Sequence, residues 1–161
     1  MILAQWLLSG WSVAVIVADW HARRIPNGLL LAVCGGVVLY WGWAGEGVLG
    51  QTWRSSLIGF GLGVTVWLPG YLWGQVGAAD VKLAACCGLV LGAYPTVVWL
   101  LLSSLLLGCV SIVVKVAPGL AQRLRQRDAQ AGRVIPAGAC MMPAFVAVMW
   151  WPAFAGSGLS G

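Results

Sequence analysis

Gly77-Ala78-Ala79-Asp80-Val81-Lys82-Leu83 sets a carboxylate at the mouth of an apolar run that continues to Val116. As one helix, Val81 to Val116 would reach about 54 Å at 1.5 Å per residue, against a hydrocarbon core of about 30 Å. The run must therefore break, and Ala93-Tyr94-Pro95 is the natural place. This predicts a short fourth helix over Asp80–Gly92 and a fifth over Thr96–Val116, with Asp80 drawn below the headgroups. One other acid has a comparable position. Asp19 lies where the first apolar run meets Trp20-His21-Ala22-Arg23-Arg24-Ile25-Pro26-Asn27. Acids at such depth are costly, which makes both functional candidates.

Composition fixes the class. Of 161 residues, 61% are hydrophobic and 8% charged, and the mean hydropathy is +0.92. A soluble domain carries about 25% charged residues. The 23 Gly and 11 Trp suit closely packed membrane helices and aromatic interface belts. Residues 1–161 read as a single membrane-embedded domain. Cys34, Cys86, Cys87, Cys109 and Cys140 all lie inside apolar runs without a C-x-x-C pair, and read as buried small hydrophobes. The net charge of +5 reads as a topology signal, and no nucleic-acid module is visible.

The first helix runs to about Ala18 and lacks the basic start of a cleavable signal peptide, so it is expected to be retained. Gln5, Ser12 and Asp19 are spaced by seven and share one helical face. That face either points into the bundle or carries two tolerated polar residues. Pro26 suits the first turn of a second helix over Gly28–Ala44, with Trp41 and Trp43 as belt residues. A loop with Glu46 leads to a third helix over Ser55–Trp73. In that helix Gly59 and Gly63 permit close approach, and Pro69-Gly70 loosens the inner end. Gly88/Gly92 and Ser104/Gly108 are further small-residue pairs. Pro118–Arg133 is the only strongly charged segment, read as a solvated loop or as a surface helix with Leu120 and Leu124 on its apolar side. Ile135–Phe154 forms a sixth helix ending at Trp150-Trp151.

The predicted fold is thus an all-α integral membrane protein with six transmembrane helices and both termini outside. This layout puts Arg23, Arg24, Lys82, Lys115, Arg123, Arg125, Arg127 and Arg133 inside, and only Arg54 outside. By the positive-inside rule, Asp19 and Asp80 face the cytoplasm.

Two carboxyl groups within a few ångströms of each other cannot easily both ionise. The ionised one can activate water while the protonated one polarises a peptide carbonyl, as in aspartic proteases. Rival chemistries lack parts. His21 is the only histidine, which disfavours a metal site or an imidazole relay, and no G-x-S-x-G elbow is present. Lys82 reads as a topology anchor, or as a contact for a substrate backbone or acid. The structural alternative makes each acid a helix-end residue: Asp80 as an N-cap is plausible, whereas Asp19 at a helix C-terminus opposes the helix dipole.

Asp19 followed by Arg23-Arg24-Ile25-Pro26-Asn27 resembles the "D, basic residues, I-P-N" element of type IV prepilin peptidases. Gly77-Ala78-Ala79-Asp80-Val81-Lys82-Leu83 resembles their G-x-G-D-V-K-L element, and Ile135-Pro136-Ala137 the start of their last helix. The short six-helix layout is similar to the minimal members that serve Flp/Tad-type pili. The resemblance implies a membrane aspartic endopeptidase of the bacterial inner membrane, with Asp19 and Asp80 as the catalytic pair. Arg23, Arg24, Pro26, Asn27, Gly77, Ala79 and Lys82 would form the site loops. The implied substrates are prepilins or pseudopilins, cut at the cytoplasmic face after a short basic leader ending in Gly. Membrane lipid is the other implied partner; no nucleic acid, cofactor or metal is called for, and a homo-oligomer is left open.

The chain departs from the pattern in two ways. Ala79 stands where the family motif has its second Gly, which would allow φ > 0 or a close substrate approach. The cytoplasmic insert of larger members, associated with N-methylation of the new terminus, has no counterpart, so cleavage without methylation is expected. A slowed, peptidase-like pilus-assembly protein is the alternative reading. A small ion-coupled transporter is a third, and the internal symmetry it calls for is not visible.

Overall fold

The computed structural model describes residues 2–22, 26–74, 76–116 and 137–155. These residues form six helices: α1 (Ile2–Ala22), α2 (Asn27–Ala44), α3 (Trp53–Leu72), α4 (Ala78–Leu91), α5 (Ala93–Val116) and α6 (Ala137–Ala155). The charged segment 118–133, with Arg123, Arg125, Arg127, Arg133, Leu120 and Leu124, lies outside the described residues, as do Arg23, Arg24 and Pro136.

The short helix is the middle of the bundle. α4 contacts α2, α3, α5 and α6, and every residue from Leu83 to Leu91 is buried. A helix that is apolar all round has no solvent-seeking face, so burial on all sides is its stable placement. Small residues let the neighbours come near. A Cβ on Gly59 would run into the Gly88 carbonyl oxygen, one on Gly63 into the Ala84 carbonyl oxygen, and one on Gly88 into the Gly59 carbonyl oxygen. The Gly59/Gly63 and Gly88/Gly92 pairs therefore form the α3–α4 seam. Ser104 and Gly108 do not act this way: both are exposed, and nothing lies within 4 Å of a Cβ at Gly108. The α5 hydroxyls that face inward are Thr96, donating to the Gly92 carbonyl, and Ser103, donating to the Leu100 carbonyl.

α1 buries a stripe. Gln5, Leu8, Ser12, Val15 and Asp19 are buried at alternating three- and four-residue spacing, Trp11 is buried beside them, and α1 packs on α6. Gln5 Nε2 donates to the Met149 carbonyl at 3.2 Å, Ser12 Oγ to Leu8, and Trp11 Nε1 to the Leu29 carbonyl. The polar face of α1 thus points into the bundle and is hydrogen-bonded there.

The α4–α5 break differs in detail from the expected one. A single residue makes it: Gly92, at φ 83°, where Ala93 already begins α5. A left-handed φ favours glycine, and Pro95 then falls in the first turn of α5, where its missing N–H costs nothing. Gln51 and Ser55 brace the break. Gln51 Nε2 donates to the Val90 carbonyl at 2.6 Å, and the Ala93 N–H donates to Ser55 Oγ at 2.9 Å. Pro69 lies inside α3, which runs on to Leu72. Pro26 sits one position before the first turn of α2, as its N-cap.

Four helices (α1, α2, α3 and α5) are long and apolar enough to cross a membrane, and Gly138–Trp151 in α6 is a shorter apolar stretch. With 14 residues, α4 spans about 21 Å, less than a hydrocarbon core. The outer surface carries exposed Leu, Val, Ile and Trp throughout. Patches of that extent need lipid rather than water. Trp6, Trp43, Trp53 and Trp151 are exposed near one end, and Trp20 and Trp73 near the other, as two aromatic girdles would be. The protein is a multi-pass, all-helical membrane protein.

Candidate active site

Asp80 is 5% exposed. Its place follows from how α4 starts. Gly77 caps the helix in an extended conformation, and Ala78, Ala79 and Asp80 form the first turn. Asp80 reaches back, and its Oδ2 accepts the Gly77 N–H at 3.1 Å. The Asp80 and Val81 N–H groups donate to the Gly77 carbonyl. Asp80 is therefore third in the helix rather than the N-cap. A carboxylate there meets both orphan N–H groups and the positive end of the helix dipole.

Asp19 is 7% exposed, three residues before the end of α1. Its own helix presents carbonyls and a negative dipole end, an unfavourable setting for an anion. The remedy comes from a distant part of the chain: the Ala139 N–H, in the first turn of α6, donates to Asp19 Oδ2 at 3.0 Å. A carboxylate is thereby set on the N-terminus of a neighbouring helix. Both buried acids are held by backbone N–H groups at helix N-termini, one by its own helix and one by a partner.

The two acids lie at the same end of the bundle. Residues 23–26 join the end of α1 to the start of α2, and Asn27 in the first turn of α2 meets α4. Lys82 Nζ donates to Asn27 Oδ1 at 3.4 Å across this contact. The exposed pair ties the I-P-N element to the D-V-K-L element. Gly77 is buried, Ala79 is half-buried against the core, and Pro26 is exposed. Ala79 is helical, so the backbone here has no need of positive φ. Among the described residues, positive-φ positions are Gly45, Gly50, Gly74 and Gly92. His21 is exposed, with Nδ1 3.2 Å from the Val17 carbonyl.

Sequence reasoning missed three features. Ala139 as the partner of Asp19 has one sequence signal, the Ile135-Pro136-Ala137 start of the last helix. Gln51 gave no signal at all. The cysteines are not uniformly buried small residues: Cys109 is exposed, and Cys34 and Cys140 are half-buried. Cys34 and Cys86 bring their sulfurs to 2.7 Å.

No curated protein and no solved structure matches the chain. The sequence pattern of the type IV leader peptidase family matches residues 6–112, from α1 into α5. Both acids, Asn27 and the Gly77–Leu83 stretch fall inside this range; α6 falls outside it. The match covers about two thirds of the 161 residues. Two motif-bearing buried acids at one end of a membrane bundle and this match agree: the chain belongs to the type IV leader peptidase family.

Proposed function

We propose that the protein is an aspartic endopeptidase that removes the short basic leader from prepilins or pseudopilins, with Asp19 and Asp80 as its catalytic pair. One observation carries the reading most: two buried carboxylates at the same end of a membrane bundle, each held by a helix N-terminal N–H. Such donors fix the orientation of each carboxylate at a helix end. In this reading the pair works as a dyad, in which one carboxyl activates water and the other polarises the scissile carbonyl. The charge asymmetry of the sequence supports a site on the cytoplasmic side of the bacterial inner membrane. A prepilin would present its leader to that side and leave its apolar stem in the bilayer. In this reading Asn27 and Lys82, which are hydrogen-bonded to each other, contact the leader or the first residues after it. Cleavage proceeds without N-methylation in this reading.

The slowed-peptidase alternative rested on Ala79. A right-handed helical conformation accommodates Ala without strain, which weakens that case. The test is co-expression with a candidate prepilin carrying a Gly-ending basic leader. A mobility shift that depends on this protein, with the new N-terminus directly after that Gly, is expected. An unprocessed prepilin at matched membrane levels would overturn the reading.

A further inference from the structure

α2 is the least enclosed of the long helices, with 11% of its span buried. Besides the Trp11 bond from α1 to its Leu29 carbonyl, it holds to the bundle through one narrow stripe. Asn27, Leu30, Cys34 and Val37 share a face, at spacings of three, four and three, and this face meets α4. Opposite them, Lys82 and Cys86 lie one helical turn apart on α4. Cys86 sits between Leu30 and Cys34, with its Sγ 3.8 Å from the Leu30 carbonyl oxygen and 2.7 Å from Cys34 Sγ. A groove of about 430 Å³ opens beside the pair, lined by Phe60 and Val64 as well as both cysteines. It gives a small apolar reagent a path to the half-buried Cys34. Cys87, on another face of α4, is fully buried and has no such path.

Depth decides which reagent. Cys34 is seven residues into α2, about 10 Å along the helix from its Asn27 end. That lies within a hydrocarbon core of about 30 Å, out of reach of glutathione and other charged thiols. We propose that Cys34 and Cys86 are a disulfide-forming pair, oxidised by a lipid-soluble quinone, that staples α2 to α4. The step balances. Each thiol gives up one proton and one electron, the two sulfurs form one S–S bond, and the quinone becomes a hydroquinone. The staple ties the helix that begins with Asn27 to the helix that carries Asp80 and Lys82. It does so without using any residue of the candidate site, and its formation is read without a cleavage assay.

The test uses the full chain in membranes, treated with a short-chain, fully substituted benzoquinone or with copper-phenanthroline, then denatured and alkylated. Oxidation by either reagent should cut the alkylatable thiols from five to three, and dithiothreitol should restore five. Peptide mapping should link the Cys34 peptide to the Cys86 peptide within one chain. Cys34→Ser and Cys86→Ser should each abolish the loss of thiols, and Cys87→Ser should keep it. Five free thiols after both reagents, or a link that survives in Cys86→Ser, would overturn the pairing. A bond made by copper-phenanthroline but not by the quinone would overturn the assigned oxidant. A covalent dimer in place of the internal link would also refute the staple.

Discussion

A carboxylate in a membrane protein is tolerated where donors meet it, and here the donors are amides. Asp80 takes the N–H of its own helix cap, and Asp19 takes the N–H of Ala139, from a helix more than a hundred residues further along the chain. The first arrangement is only partly legible in sequence: an acid at the helix start reads as its N-cap, whereas Asp80 lies third and reaches back to the Gly77 cap. The second is not, because nothing near Asp19 in the chain announces α6 as its neighbour. Ala79 turns on the same local geometry. As a helical residue in the first turn it fits without strain, so Ala79→Gly removes no clash and only adds freedom, at about 0.5–1 kcal/mol of local order. Cleavage of one prepilin by both forms should therefore be equal or modestly slower for the glycine form. A clear gain would mean that Ala79 obstructs the substrate directly. Lys82→Ala should lower thermal stability little, because its bond to Asn27 is long and exposed; a large loss in a melting assay would show that the contact holds the two loops together.

Helices here are set by where backbone can approach backbone. Gly59 and Gly61 are two residues apart in α3, yet their surroundings differ completely. Gly59 faces the Gly88 and Gly92 backbone, whereas nothing lies within 4 Å of a Cβ at Gly61. Gly59→Ala should destabilise the protein by about 1–3 kcal/mol or more, since main chain must move to admit the methyl. Gly61→Ala should be neutral or stabilising by up to about 1 kcal/mol, through helix propensity. Heating both variants in detergent and following the loss of the monodisperse peak by size exclusion checks the opposite signs. Equal effects would contradict the seam. Element by element, the apolar runs and their breaks gave nearly the right helices from sequence, because length against bilayer thickness is a strong constraint. The α3–α4 seam was legible from glycine spacing. The Ser104/Gly108 pair had the same spacing and faces outward, since small-residue spacing marks a possible contact surface and not which helix arrives there. The Gln51 brace was illegible, because its partner is a main-chain carbonyl that no side chain signals.

At the scale of the molecule, a central buried helix is ringed by longer ones, with both acids at one end. The proposed orientation, with both acids toward the cytoplasm, is argued from eight basic residues against one. Asp128→Cys, in a variant stripped of the native cysteines, should resist an impermeant maleimide applied from outside and label once the cells are opened. Efficient labelling in intact cells would invert the topology. The central claim concerns the two acids, and the Asn variants address it with little disturbance. An Asn side chain can still accept from the Gly77 or the Ala139 N–H, so the fold and the membrane level should persist. The decisive measurement is cleavage of one prepilin in proteoliposomes by the purified protein, by Asp19→Asn and by Asp80→Asn, each shown to be folded by its melting curve. The account predicts processing by the parent protein and none detectable by either variant; substantial processing by either one would contradict the dyad.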